Sequence, residues 1–194
     1  MSEVVSATRD DLPLVTASLA RAFVDDPVLR YLIPSDPDFR RTALGFRMLG
    51  LNALDRGMVL RTADSAAAAY WAAPGKWQVP WRNVLRTLPI TVRAYRAGML
   101  RALSFLGKIE AIHPSEPHYY LEVLGTDPVH QGRGLGAAIM NHALARADEE
   151  RVGAYLESSK DLNVPYYRRF GFEVVNEVVV KGGPTIWPMW REPR

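Results

Sequence analysis

The sequence predicts a mixed α/β fold in one domain that spans residues 1–194. Apolar residues recur at steps of three and four from Leu12 to Phe23, a spacing typical of an amphipathic helix. Two short apolar runs at 58–61 and 67–71 are separated by turn residues, which is typical of a β-hairpin. A branched and aromatic run at 119–126 is followed by glycines, a helix-forming stretch and another apolar run. This order predicts a strand, a helix and a second, parallel strand, with antiparallel strands beside them.

The first half of the chain is predicted to hold one strand, two helices and the hairpin. Thr8 and Asp11 have the spacing of a capping box at the start of the first helix, which is expected to end at Asp25-Asp26-Pro27. Pro37 is suited to the first turn of the second helix. The predicted boundaries are 3–6 for the strand, 36–55 for the second helix, and 58–61 and 67–71 for the hairpin.

The second half is predicted to contain a basic helical segment and then alternating strands and helices. The helical segment is expected to be interrupted near Pro89, because proline removes a helical hydrogen bond. Gly153 stands where a helix terminator is expected. The predicted boundaries are 119–126, 154–157, 173–181 and 185–190 for the strands, and 135–151 and 164–170 for the helices.

Positive charge is concentrated in one segment. The whole chain carries a formal charge of +3, yet residues 65–109 contain seven basic residues and no acidic one, so the rest of the chain sums to −4. Because this segment has helical periodicity, a solvated helical face is the simplest interpretation of each arginine. An anionic ligand, a membrane surface and a nucleic acid are the functional alternatives.

Composition excludes several classes of protein. The chain is 48% hydrophobic and 23% charged, which is typical of a globular protein. It has no cysteine, so neither a disulfide nor a cysteine nucleophile is available. Residues 1–11 lack the pattern of a secretory signal and the longest apolar run, 66–73, is too short to span a bilayer, so we expect a cytoplasmic protein. The four histidines lack metal-ligand spacing, and we expect surface or loop positions for them and no metal.

The glycine-rich turn at 131–136 is the most informative stretch. It precedes a predicted helix, where glycine lets the backbone approach a ligand and the free N–H groups of the first turn favour a phosphate. One candidate ligand is a dinucleotide, since Gly132, Gly134 and Ala137 have its glycine spacing and Glu157 follows about 20 residues later. The other candidate is the pyrophosphate of an acyl-coenzyme A. A tight turn without a ligand is the third interpretation.

Two motifs resemble those of the GNAT superfamily of acyl-CoA-dependent N-acyltransferases. Gln131, Gly134 and Gly136 match its signature of Gln or Arg, two residues, Gly, one residue, then Gly or Ala. The preceding residues 121–128 look like its central fourth strand, and residues 163–172 look like its last helix and following strand. More loosely, the closing Trp187-Pro188-Met189-Trp190-Arg191-Glu192-Pro193 resembles the puromycin N-acetyltransferase-like branch.

The resemblance implies a fold, a reaction and a set of site residues. The sheet is expected to be mostly antiparallel, with a central parallel pair splayed to hold acyl-CoA, flanking helices, and a helical insertion at about 75–115 before the fourth strand. The implied reaction moves an acetyl group from acetyl-CoA to a primary amine by direct attack in a ternary complex, with Glu122 and Tyr167 as catalytic residues. The implied cofactor-binding residues are Val123, Leu124, Gly125, Gln131, Gly132, Arg133, Gly134, Leu135, Gly136, Asn163 and Tyr167.

The chemistry of these residues suits that reaction. An alkyl amine with a pKa of about 10.4 is protonated at neutral pH, and freeing its lone pair costs about 4.6 kcal/mol at pH 7, so a base is useful. Glu122 lies among apolar residues, where burial would raise its pKa; a structural glutamate bonded to a neighbouring segment is the alternative. Tyr167 can return a proton to the departing thiolate, or it can simply fill space in the core.

The acceptor side carries no signature. Asp25 and Asp26 are candidates to receive a cationic amine, and Trp77 and Trp81 are candidates for apolar walls. We expect a small-molecule amine as partner, no nucleic acid and no membrane, and a monomer or homodimer. The alternatives to acyl transfer are an NAD(P)-binding oxidoreductase and a non-catalytic module that binds CoA, a membrane or nucleic acid.

Overall fold

The structure is a computed structural model that describes residues 3–194. These residues form eight strands: β1 (Val4–Ser6), β2 (Gly57–Thr62), β3 (Ala67–Ala72), β4 (His118–Thr126), β5 (Gly153–Ser158), β6 (Glu173–Val174), β7 (Val178–Val179) and β8 (Thr185–Arg191). The same residues form seven α-helices: α1 (Leu12–Ala22), α2 (Pro27–Leu32), α3 (Arg40–Arg56), α4 (Trp81–Tyr95), α5 (Met99–Ile112), α6 (Leu135–Glu149) and α7 (Val164–Arg168).

The strands build one mixed sheet at the centre of the molecule. Its order is β1-β2-β3-β4-β5-β8-β6, with β7 paired to β8. β4 and β5 run parallel, and the other neighbouring pairs are antiparallel. The chain passes from β4 to β5 through α6. The predicted mixed α/β fold with a mostly antiparallel sheet is therefore confirmed.

Helices cover both faces of the sheet. On one face α6 packs its apolar side, including Ile139 and Met140, against β3, β4 and β5. On the other face α1 and α3 pack against β3 and β4. β3 serves both layers, because Trp71 faces α6 whereas Tyr70 faces α1 and α3. Burial on both faces explains why this strand reads as a continuous apolar run.

The parallel strands β4 and β5 part halfway along their length. Their pairing begins at His118 and Gly153 and ends at Leu121 and Leu156, although both strands continue beyond that point. The second half of β4 stays paired with β3 on its other side. A cleft therefore opens between β4 and β5, which confirms the splay that the family resemblance implied.

A β-bulge marks the point where the strands part. Leu121 pairs with Trp71 and Val123 pairs with Tyr70, so Glu122 is the extra residue on β4. Leu121 belongs to the layer of α6, and Val123 belongs to the layer of α1 and α3. In a regular strand these two residues would share a face, because side chains alternate with a period of two. The bulge thus changes which side of the sheet each later residue of β4 presents.

The predicted start of the first helix is wrong by one turn. α1 begins at Leu12, and only half of the capping box forms, since Asp11 accepts hydrogen bonds from the N–H and the hydroxyl of Thr8. The predicted stop at Asp25-Asp26-Pro27 is also the start of α2, a helix that the sequence analysis missed. The Asp26 carboxylate caps α2 by accepting a hydrogen bond from the N–H of Leu29.

Two further boundaries differ from the prediction. Pro37 lies before α3, which begins at Arg40. The Asp36 carboxylate accepts hydrogen bonds from the N–H groups of Arg41 and Thr42 in the first turn of that helix. Gly153 opens β5 instead of ending α6, and the residue with a left-handed φ after that helix is Arg151. The single strand expected at 173–181 is divided into β6 and β7.

The basic helical segment is continuous through Pro89 and breaks later, at Arg96–Gly98. Leu85 and Pro89 both lie on the exposed side of α4, so the carbonyl that loses its hydrogen bond faces water. α4 buries the polar Asn83 and Thr87, because the Asn83 amide donates to Asp55 of α3. Its apolar residues Val84, Leu85, Leu88 and Val92 are exposed instead.

Candidate active site

A cavity of about 730 Å³ lies between β4 and β5 where the two strands part. Its walls come from the end of α1, the second half of β4, the glycine turn, the start of α6, the end of β5 and α7. This volume is within the range of small-molecule and cofactor sites, about 300–1,000 Å³. Across residues 3–194 no helix combines the length and apolar composition needed to cross a bilayer.

Most of the predicted site residues line this cavity. They are Asp26, Glu122, Val123, Leu124, Gly125, Gln131, Gly132, Gly134, Leu135, Gly136, Asn163 and Tyr167. Arg133 belongs to the same turn but lies outside the cavity wall, with its guanidinium 2.9 Å from Nδ1 of His130. Asp25, Trp77 and Trp81 also lie outside the wall.

The glycine turn presents free backbone amides to the cavity. Gly132 and Gly134 both have φ of +75°, a conformation that glycine adopts without strain, and a Cβ at either position would project into open space. In the part of the chain that the structure describes, the N–H groups of residues 132–137 donate to no protein acceptor. The Gln131 amide closes the turn by donating to the Thr126 carbonyl at 3.2 Å. A phosphate group fits these amides and the positive end of the α6 dipole.

The second half of β4 has one paired edge and one free edge. Residues 123–126 pair with β3, and within the described residues nothing pairs them on the side of β5. The backbone groups on that side are available to an extended ligand. Gly125 is needed for packing, since a Cβ there would lie 2.8 Å from Leu19 of α1 and 2.9 Å from Phe23, the residue after α1.

Glu122 forms a buried ion pair with Arg56 at the end of α3. The closest N···O distance is 2.5 Å, and the side chains are only 9% and 3% exposed. Burial raises the pKa of Glu122, and the Arg56 guanidinium opposes that rise. Oε2 of Glu122 has no hydrogen-bond partner among residues 3–194. The carboxylate is thus held by a neighbouring segment and still keeps one oxygen for a ligand.

Arg56 is not among the site residues predicted from the sequence. This residue also donates to the carbonyls of Lys76 and Trp77, so it ties α3 to the start of the helical insertion. An arginine in the last turn of a helix is common, because a cation stabilises the negative end of the helix dipole. No sequence pattern links it to Glu122, which lies 66 residues away.

Glu157 faces the same cleft from β5. It follows Leu156 directly, as Glu122 follows Leu121, so the two glutamates sit where the strands part. The Tyr120 hydroxyl donates to Oε2 of Glu157 at 2.7 Å, and the Glu157 side chain is 7% exposed. One oxygen of the carboxylate that the dinucleotide interpretation needs for the ribose is therefore already bonded, and this side chain is almost fully buried.

Two histidines are buried beside Glu157: His113 lies in a loop, as expected, but is not at the surface, and His118 lies in β4, which corrects the expectation for it. The His113 ring follows α5 and stacks on Trp77 with ring centres 3.9 Å apart. Its Nε2 lies 3.0 Å from Nε2 of His118, and its Nδ1 lies 3.8 Å from Oε1 of Glu157. Nδ1 of His118 lies 2.6 Å from the Glu116 carbonyl oxygen. The His113 ring also makes edge-on contacts with Tyr120 and Tyr155, so it packs among aromatic side chains of β4 and β5.

Two tyrosines of α7 line the opposite wall. Burial raises the pKa of Tyr167 well above its ordinary value, so this phenol stays protonated and able to donate. Burial also raises the pKa of Tyr166, to about 12. Its hydroxyl has no partner among the described residues and lies over the glycine turn, 3.0 Å from where a Cβ at Gly136 would sit. Asn163 lies one helical turn earlier on the same wall.

The four residues predicted for the acceptor side are not together. Asp26 is buried, caps α2 and accepts a hydrogen bond from Ser159 on the cavity wall. Asp25 is exposed and pairs with Arg30. Trp77 packs on His113, and Trp81 is 76% exposed at the start of α4.

Comparison with known proteins gives matches to acetyltransferases. The family model described as acetyltransferase (GNAT) domain matches residues 98–192. A solved structure from Corynebacterium glutamicum, described as histone acetyltransferase HPA2 and related acetyltransferase, is 27% identical with a TM-score of 0.76, covering 100% of this chain and 98% of that one. An uncharacterised N-acetyltransferase of Schizosaccharomyces pombe is 28% identical over 174 residues, which are 84% of this chain and 70% of that protein. A Drosophila melanogaster polyamine N-acetyltransferase shares the fold, with 15% identity, a TM-score of 0.69 and coverage of 99% and 100%.

The matched residues 98–192 include β4, the glycine turn, α6, β5 and α7, which together form most of the cavity wall. The comparison structures cover the remaining part of the chain as well, including the layer of α1 and α3. Fold, sequence motifs and relatives therefore agree on the class of enzyme. Residues 98–192 match the GNAT acetyltransferase domain, and the relatives that cover most or all of the chain support a GNAT superfamily N-acetyltransferase.

Proposed function

We propose that this enzyme transfers an acetyl group from acetyl-CoA to the primary amine of a small molecule, by direct attack in a ternary complex. The observation that carries the proposal is the shape of the cleft between β4 and β5. One end holds the free amides of the glycine turn, and the other end holds two buried carboxylates. The diphosphate of acetyl-CoA would bind at the glycine turn, and a cationic amine would bind near the carboxylates.

The donor would lie along the free edge of β4. Acetyl-CoA supplies the acetyl group as an activated thioester. The amides of residues 132–137 would bind its diphosphate, with Gln131 holding the turn closed. The free backbone groups of Val123, Leu124 and Gly125 would bind the extended arm and the thioester carbonyl. Asn163 and Tyr167 would contact the donor from the opposite wall.

Glu122 is proposed as the base that takes a proton from the acceptor amine. It lines the cavity beside the free edge of β4, and its Oε2 is unpartnered within the described residues. Burial raises its pKa, which makes the carboxylate a stronger base than an exposed glutamate. Arg56 keeps the carboxylate in place without occupying its second oxygen.

Tyr167 is proposed as the acid that returns a proton to the departing thiolate. Its raised pKa keeps the hydroxyl protonated at neutral pH, so the proton is present when the thiolate leaves. Cysteine is absent from the chain, so an acyl-enzyme on a thiol is not available. Direct attack by the amine then needs a base for the amine and an acid for the thiolate, and Glu122 and Tyr167 in the cleft would supply them.

The acceptor is proposed to be a slim, cationic alkyl amine. Glu122, Glu157 and Asp26 all line the cavity, so its acceptor end is acidic although the chain as a whole is basic. The relatives include a protein described as a histone acetyltransferase and one that acts on polyamines. We favour the small molecule because the two glutamates are less than one tenth exposed, which leaves little room for a bulky group.

A thiol-release assay tests the proposal directly. Acetyl-CoA and a panel of small primary amines are incubated with the protein, with a lysine-containing histone-tail peptide as the competing acceptor class. We expect thiol release with at least one small amine, and a rise in Tm with acetyl-CoA but not with NAD. Release with the peptide alone would contradict the small-molecule acceptor. Stabilisation by NAD alone would contradict the donor.

A further inference from the structure

The hydrogen bonds around the buried histidines fix their tautomers. The Glu116 carbonyl can only accept, so Nδ1 of His118 carries the hydrogen. Burial lowers the pKa of His118, so its ring is neutral and its Nε2 is a lone pair. The bond between the two Nε2 atoms then requires a hydrogen on Nε2 of His113. In the neutral His113 ring, Nδ1 is therefore a lone pair.

This lone pair faces another acceptor. Nδ1 of His113 and Oε1 of Glu157 are 3.8 Å apart. Both atoms are buried, and neither has a hydrogen-bond partner among residues 3–194. Oε2 of Glu157 already receives the Tyr120 hydroxyl. Two acceptors that face each other inside a protein are costly unless a proton lies between them.

We propose that Glu157 and His113 form a buried proton-binding couple that takes up a proton from the acceptor amine. One added proton on Nδ1 of His113 turns the two facing lone pairs into an ion pair without moving any other bond of the cluster. Glu157 lines the cavity, so it is the member of the couple that meets the ligand. His113 lies behind it and acts through it, as a positioning and proton-holding residue. This inference rests on the proposed function.

The proton balance of the reaction gives the couple a role. An ammonium acceptor loses two protons from nitrogen when its N–C bond forms and the C–S bond breaks, and the sulfur gains one. Glu122 takes one proton from the nitrogen, and Tyr167 gives one proton to the thiolate. Transfer of a proton from Glu122 to Tyr167 then returns both groups to their starting states. The remaining proton goes to the couple and leaves for solvent after the product departs.

Several charged and titratable groups face the couple. Trp77 stacks on His113 and contributes no charge. The titratable or charged side chains around Glu157 and His113 are Arg56 from α3, His118, Tyr120 and Glu122 from β4, and Tyr155 from β5. Arg56 is already paired with Glu122, so the carboxylate of Glu157 is the anion left for a proton on His113.

The tautomers can be tested on the protein without any substrate. Ring-labelled histidine gives few signals, because the chain has four histidines, and His113→Gln identifies the one of interest. We expect hydrogen on Nε2 of neutral His113 and proton uptake on Nδ1 as pH falls. In Glu157→Gln the new amide can donate to Nδ1, so uptake at that nitrogen should be lost while the fold is kept. Hydrogen on Nδ1 of the neutral ring, or unchanged uptake in Glu157→Gln, would overturn the inference.

A pH profile separates proton uptake from a structural role. We expect kcat of Glu157→Gln and His113→Gln to fall by roughly 10²-fold near pH 7, with little change in KM. The deficit should shrink as pH approaches the amine pKa of about 10.4, because the free amine then forms in solution. His142→Gln, at an exposed position on α6, is the matched control and should keep full activity. A deficit that is constant across pH would contradict the couple. If no amine were acetylated, the proposed function would be contradicted. The signals of the labelled histidine rings would still test the Glu157–His113 couple, because they need no substrate.

Discussion

The glycine-turn end of the cleft is built from main-chain amides of consecutive residues, whereas the carboxylate end is built from side chains of α3, β4, β5 and the segment after α5. The first end depends on two left-handed glycines and a helix start. The second depends on the packing that brings Arg56, Glu122, Glu157 and His113 together. A binding site made from backbone is local, and a site made from buried side chains is a property of the whole fold. Substitutions at the glycine-turn end should therefore mainly reduce ligand binding, whereas substitutions at the carboxylate end should also reduce the stability of the fold.

Gly134→Trp should have the largest effect on binding. The side chain would project into the cavity where the diphosphate is proposed to lie, so we expect acetyl-CoA to lose its stabilising effect on Tm and transfer to stop. Gly75→Trp is the matched control, because Gly75 also has a positive φ and open space around its Cβ but lies at an exposed turn. Retained acetyl-CoA binding in Gly134→Trp would show that the turn does not hold the donor.

Arg56→Met should mainly affect stability. It leaves Glu122 buried without its counter-ion, and breaking a buried pair from one side costs about 3 to 5 kcal/mol. Urea unfolding measures this loss. The double variant with Glu122→Gln should recover much of it, because the uncompensated charge is gone. Equal stability of the single and double variants would contradict the idea that an unpaired Glu122 charge causes the loss.

Tyr167→Phe should lower kcat by roughly tenfold to a hundredfold and leave the affinity for acetyl-CoA nearly unchanged. The phenol is the proposed proton donor, and the aromatic ring that packs in the wall is preserved. Tyr166→Phe is the neighbouring control, since its hydroxyl lies over the glycine turn. If Tyr166→Phe loses turnover and Tyr167→Phe does not, the two roles must be exchanged.

Asp148→Asn should have the smallest effect and should act away from both ends of the cleft. Asp148 makes two 2.8 Å bonds with the Arg191 guanidinium, and these bonds hold the pKa of Asp148 below its usual range. A depressed pKa stabilises the fold at pH values above the unfolded pKa, and this stability is lost as pH falls through the lower folded value. We expect a loss of about 2 kcal/mol at pH 7 that shrinks below about pH 4, with kcat unchanged. A pH-independent loss would rule out this explanation.

The contrast between the two ends also explains what the sequence could predict. The glycine turn, the strand before it and the tyrosines of α7 carry local patterns, and the structure places them along one cavity. Arg56 and the pair His113 and His118 carry no such pattern, because their positions depend on long-range packing. The buried side of α4 carries no such pattern either, since it is polar and is bonded to α3 through Asn83.

Glu122 is a supernumerary residue of β4. Opposite β3, the chain runs from Leu121 to Val123 with no partner for the residue between them. A one-residue deletion there would leave Val123 opposite Tyr70 and every later side chain in its present layer. The sheet does not need this position for its own packing, so the carboxylate occupies an extra position of the strand and not the place of a core side chain.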